Sequence, residues 1–139
     1  LSKPWNDTAN AEAYKTTIQV YACPSADLPT GHTTCLALVG PERCFHPTRP
    51  RVFEDFLDGT SNTVCVIDAS AAEAVHWMDP GGSANRFFLN FDDKTELSHT
   101  GGIQVLLCDG TVKFLSTAVP KQTRQALSPI AGEEKIGEF

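Results

Sequence analysis

The stretch Ile103-Gln104-Val105-Leu106-Leu107-Cys108-Asp109-Gly110-Thr111-Val112-Lys113-Phe114-Leu115 decides the fold. Ile103 to Cys108 reads as one strand and Thr111 to Leu115 as its return. Asp109-Gly110 between them predicts a two-residue primed turn. Both central residues of such a turn take positive φ, which Gly and Asp tolerate best. The chain therefore contains a β-hairpin near its C-terminal end.

Outward from the hairpin, the sequence divides into short elements. Asn62 to Asp68, with Val64, Val66 and Ile67 apolar, predicts a strand, and Thr34 to Val39 another, stopped by Gly40-Pro41. Thr17-Ile18-Gln19-Val20-Tyr21-Ala22 alternates polar and apolar residues and predicts a strand ending at Cys23-Pro24. Residues 6–17 predict a short helix, capped by Asn6 or Asp7 and favoured by Ala9, Ala11 and Ala13. Residues 120–127 predict a second helix from Pro120, and Val52 to Leu57 a compact apolar turn or one helical turn. Residues 24–33 and 40–51, rich in Pro, read as loops. Arg86 to Phe91 is a further apolar stretch of unassigned type. The fold class is α+β: an antiparallel sheet packed against short helices. One domain spans residues 1–131, and the polar tail from Gly132 to Phe139 is expected to be loosely held.

The composition suits one hydrophobic core. Of 139 residues, 41% are hydrophobic and 20% charged, the balance of an ordinary globular domain. The formal net charge is -6. The densest cationic group, Arg43, Arg49 and Arg51, is spread among prolines. Nucleic acid, which needs clustered cations to displace counterions, is not an expected partner. No apolar run approaches the ~20 residues of a membrane-spanning helix. Leu1, followed at once by Ser2, Lys3 and Pro4, reads as the start of a mature product or of a fragment.

Five cysteines divide by neighbourhood. Cys65 lies in Val64-Cys65-Val66-Ile67 and Cys108 follows Val105-Leu106-Leu107, so both read as strand positions where a thiol acts as a small apolar group. Cys23, Cys35 and Cys44 lie at segment edges and are the disulfide candidates for an oxidising compartment. An odd count leaves one thiol free or bridged to another chain. The chain has no Cys-x-x-Cys and no His pair at ligand spacing, which favours structural use of the cysteines over a metal site.

Three further features bear on chemistry. Asp58-Gly59-Thr60-Ser61-Asn62-Thr63 is dense in hydroxyls but lacks the glycine and lysine pattern of a phosphate loop and the pattern of a nucleophile elbow. It reads as a turn opened by Asp58, with Gly59 supplying an unusual φ and Ser61 and Asn62 bonding nearby backbone. His99-Thr100-Gly101-Gly102, with Asp109, suggests an acid/base or metal pair. The alternative is a turn histidine with a satisfied ring, and this is preferred. Asp92, Asp93 and Glu96 form an acidic loop whose oxygens are weak calcium candidates, without EF-hand spacing.

The motifs together resemble a known family. Lys3-Pro4-Trp5-Asn6 with Val20-Tyr21-Ala22-Cys23-Pro24-Ser25, then Asp58 to Thr63, then His99 to Leu115 with Gly101-Gly102 and Asp109-Gly110, are similar in kind and order to the signatures of the planctomycete pilin/pseudopilin-like family of domains of unknown function. The resemblance spans the chain from Lys3 to about Leu127. It implies a pseudopilin-like globular head, secreted or held in the cell envelope at the periplasm or cell surface. It also implies protein subunits as partners, by self-assembly into a filament or within a type II secretion system. No catalytic residues carry over. Family members place a prepilin signal and a long apolar helix before this domain, and this sequence contains neither. Cys35, Cys44 and Cys65 fall outside the signatures, and Cys108 sits where the hairpin signature usually has a small residue. The expected role is thus a non-enzymatic structural or interaction module without a cofactor. Two alternatives stand beside it: a calcium or carbohydrate module, suggested by Trp5, Trp77 and the acidic loop, and a hydrolase using one of His32, His46, His76 and His99.

Overall fold

The computed structural model describes residues 3–132. Its centre is a four-stranded antiparallel sheet in the order β2-β3-β5-β6, formed by β2 (Cys35–Ala37), β3 (Val64–Asp68), β5 (Gly102–Leu107) and β6 (Val112–Ser116). A second, two-stranded ribbon pairs β1 (His32–Thr33) with β4 (Val75–His76). The predicted α+β class with an antiparallel sheet is what the chain adopts.

Alternation along β5 explains which face of the sheet is covered. Ile103, Val105 and Leu107 are buried, and Gln104 and Leu106 are half-buried on the other side. Leu36, Ile67 and Leu115 join the buried face from the neighbouring strands. Against it lies the short helix α2 (Asn85–Asn90), which contributes Phe87 and Phe88, followed by Phe91. Helix α3 (Lys121–Ala126) contacts α2 and leads into buried Leu127. Its Arg124 lies over the Phe91 ring, 4.3 Å from the centroid, and donates to the Phe91 carbonyl.

The central hairpin forms, with Gly102↔Ser116 to Leu106↔Val112 in register. Its turn differs from the two-residue form expected. Leu107 N–H donates to Thr111 O at 2.8 Å and Gly110 N–H to Leu107 O at 3.0 Å, so the loop is Cys108-Asp109-Gly110. Gly110 carries the positive φ, +90°, in the manner of three-residue hairpins with a left-handed glycine. Asp109 Oδ1 accepts from Thr111 N–H at 2.8 Å. Cys108 therefore sits in a loop and not in the strand.

Other expectations shift in the same way. Residues 17–22 do not form a strand. Gln19–Tyr21 is one 3-10 turn, held by Tyr21 N–H to Ile18 O and Ala22 N–H to Gln19 O. Val20, on the apolar phase of that alternation, is 83% exposed, so no neighbour rewards an extended backbone there. The N-terminal helix shrinks to a 3-10 turn, Thr8–Asn10, capped by Asp7, and to α1 (Ala11–Tyr14). Of the loosely held tail, only Gly132 falls within the described residues, and its N–H meets Asp58 Oδ2 at 2.5 Å.

Candidate functional site

Backbone pairing gathers three cysteines that lie far apart in sequence. The register of β3 against β5 shifts between Val64 and Val66, a bulge centred on Cys65. Bulges re-aim side chains, and here Val64 and Ile67 join the main apolar cluster while Cys65, also buried, lies outside it. Cys65 Sγ–H donates to Leu106 O at 3.3 Å. The Cys108-Asp109-Gly110 loop docks on the turn before β3: Cys108 N–H donates to Thr63 O at 2.9 Å and Asp109 N–H to Thr60 O at 3.2 Å. That brings Cys108 beside Cys65. Beyond β2, Leu38 N–H donates to Cys65 O at 2.9 Å, and the chain then folds back so that Gly40 N–H meets Phe45 O at 2.9 Å. Cys44 arrives next to the other two. The three Sγ atoms all lie within 4.8 Å of one another, with Cys65 buried and Cys44 and Cys108 half-buried.

Thiols this close share charge. Hydrogen bonds from Cys108 and then Cys44 hold the Cys65 thiol down at about 4. Cys108 is pushed up by the neighbouring Cys44 and Cys65 sulfurs and by burial. Cys44, drawn down by Cys108 but raised by Cys65 and by burial, ends at about 11. The three sulfurs thus titrate as one coupled group. Cys44 also lines a groove of about 600 Å³ with Phe45, Arg51, Val52, Phe53, Glu54 and Phe56. Arg51 is fixed at its rim by donation from Nε to Arg43 O at 3.2 Å and from its guanidinium to Pro41 O.

A second cluster joins Cys23, Asp68 and His99. His99 Nε2 lies 2.8 Å from Asp68 Oδ2 and 3.5 Å from Cys23 Sγ. Thr34 Oγ1 donates to the other Asp68 oxygen. Burial, then the hydrogen bond with Asp68, raises the Cys23 thiol. The arrangement differs from a nucleophile relay. In a relay one ring nitrogen faces the sulfur and the other faces the carboxylate. Here Nε2 faces both, and the sulfur is kept protonated. The contacts tie the end of the Cys23-Pro24 segment and the His99-Thr100-Gly101-Gly102 turn onto the end of β3. His99 therefore has a satisfied ring, as its turn reading requires, but the partner is Asp68 and not Asp109.

Gly59 takes φ +85°, Asn62 Nδ2 donates to Asp58 O at 2.9 Å, and Thr63 Oγ1 to Gly59 O at 3.1 Å. The Asp58 to Thr63 run is a local 3-10 turn, in which Thr63 takes the backbone-bonding role expected of Ser61. Asp92 Oδ1 accepts from Lys94 N–H and Thr95 Oγ1, each at 3.0 Å, which holds its carboxylate below the usual range. Among the described residues the clusters with metal-ligand proximity are the two above, so Asp92, Asp93 and Glu96 do not converge. All five cysteines are free thiols. Of the disulfide candidates, Cys23 meets His99, Cys35 is exposed on β2, and Cys44 meets Cys65 and Cys108. Trp5 and Trp77, both half-buried, come together in one aromatic cluster. Both flank His76, at 5.4 and 6.0 Å between centroids, with Tyr14 stacked on it at 4.1 Å. His32 meets the same ring edge-on through the β1–β4 register.

Spacing rules miss the Cys44–Cys65–Cys108 cluster because each sulfur comes from a different loop or bulge. One sequence signal points toward it: Cys65 lies two residues after the Asp58 to Thr63 turn and Cys108 directly before Asp109-Gly110, and the pairing of Val64 with Leu107 sets them side by side. Compared with protein-family models, curated proteins and solved structures, the chain matches none of them.

Proposed function

We propose that this domain is a non-catalytic interaction module of the cell envelope, a pilin- or pseudopilin-like head that contacts other protein subunits. One observation carries the reading: the residues that resemble the family signatures are spent on holding the fold. The Asp58 to Thr63 turn receives the hairpin loop through Thr60 and Thr63. The Cys23 segment and the His99 turn are fastened to Asp68. Gly102 lies where a Cβ would stand 2.3 Å from Leu115 O. Such residues define a scaffold, and the chemistry at Cys23 is that of a protonated thiol. Meanwhile Phe53, Leu57, Val52 and Phe45 are exposed at 81, 70, 57 and 44%, on one segment and its neighbour. Contiguous exposed apolar side chains mark protein contact surfaces.

The test is the size of the particle extracted from the envelope of the source cell, for the natural chain and for Phe53→Asp. The proposal expects a multi-subunit particle that Phe53→Asp reduces to the single chain without changing its melting temperature. A single chain in both cases contradicts it.

A further inference from the structure

We propose that Cys44, Cys65 and Cys108 bind one soft d10 cation of the zinc class through three sulfur ligands, at a site that Cys44 joins to the groove beside Phe53. This goes beyond the envelope reading and does not depend on it. Geometry supplies the first argument. Zinc–sulfur bonds of about 2.3 Å set tetrahedral sulfurs about 3.8 Å apart. The three Sγ atoms already lie within 4.8 Å of one another, so closing on an ion takes about 1 Å at most and no refolding. The backbone beneath each sulfur is pinned, through Thr63 O for Cys108, Leu38 N–H for Cys65 and the Phe45–Gly40 bond for Cys44.

The donor set supplies the second. Three sulfurs with no carboxylate or imidazole among them disfavour calcium and magnesium, which take oxygen, and suit zinc, cadmium or copper(I). A disulfide would use two of the three and leave the third beside it, whereas a metal ion uses all of them. Charge is the third. Three thiolates and a divalent ion sum to one negative charge, and Arg51, fixed on the same loop as Cys44, stands next to it. On binding, each S–H still protonated gives its proton to solvent as the sulfur–metal bond forms.

The experiment uses the full chain, reduced and stripped of metal, titrated with cadmium alone and followed by the near-ultraviolet sulfur-to-cadmium charge-transfer band. The band should saturate at one equivalent. Alkylation mapping should then show Cys44, Cys65 and Cys108 protected and exposed Cys35 still reactive. Cys35→Ser should leave the titration unchanged, and Cys44→Ser should weaken binding by at least about tenfold, the scale on which even indirect changes to metal sites act. Cys108→Ser, in a hairpin loop, replaces Cys44→Ser should the latter not fold. No saturable band, protection at Cys23 in place of Cys44, or unchanged affinity in both serine variants would overturn the site.

Discussion

At Cys23 a buried thiol touches an imidazole whose nitrogen also faces a carboxylate. In the folded chain that thiol is raised above its ordinary value of about 8.5 by burial and by Asp68. A raised folded value means the native state prefers the protonated form. The stabilising contribution is therefore complete below about pH 8.5 and is lost as pH rises through the folded value. Denaturant midpoints measured across the alkaline range should fall with pH, and Cys23→Ser, which carries no titrating thiol, should flatten part of that slope. An unchanged slope would mean that Cys23 titrates as it does in the unfolded chain. Cys35, Cys44 and Cys108, also raised in the fold, act in the same direction, whereas Cys65, held low, contributes stability that is complete above about pH 8.5 and so adds nothing to the alkaline fall. The same residue shows what sequence alone can carry. His99 was legible as a turn histidine, whereas Cys23-Pro24 reads as the end of a strand that does not form, and neither position announces the other across the intervening chain, because their meeting depends on where β3 ends.

The β5–β6 hairpin is the element on which both clusters hang. One end carries the Cys108 loop and the other begins at the Gly101-Gly102 pair after His99. Gly102 is fixed by close approach: an added Cβ would lie 2.3 Å from Leu115 O and 2.7 Å from the Phe114 ring. Gly102→Ala should force the strands apart at that rung, at a cost of about 3 kcal/mol, the upper range for overpacking. Thermal unfolding should register this as a fall of roughly 10 °C in Tm. A change within a degree or two would show that the strands part there without penalty. The hairpin was readable because strong β-formers flank Asp-Gly. Its three-residue loop was not, since the extra residue is set by the bonds that Thr60 and Thr63 offer to Cys108 and Asp109. The β1–β4 ribbon was missed for a different reason. Two-residue strands carry no periodicity, and this one is organised by rings stacked around His76. Residues 17–22 failed in the opposite sense, alternating without any strand to pair with.

Across the whole molecule, one sheet face is filled by α2, α3 and the segment around Leu127, while residues 45–57 leave Phe53 and its neighbours in solvent. Fold class and the position of most strands followed from pattern, and the buried face followed from alternation. The trithiol cluster and the apolar groove beside it did not, because both arise from irregular chain whose path is set by tertiary hydrogen bonds. The most direct measurement of the central claim is an image of the native particle at a resolution that places this domain. The interaction-module account predicts an assembly in which the Val52 to Leu57 segment lies against another protein subunit. A lone domain with that segment open to solvent in the native envelope would contradict it.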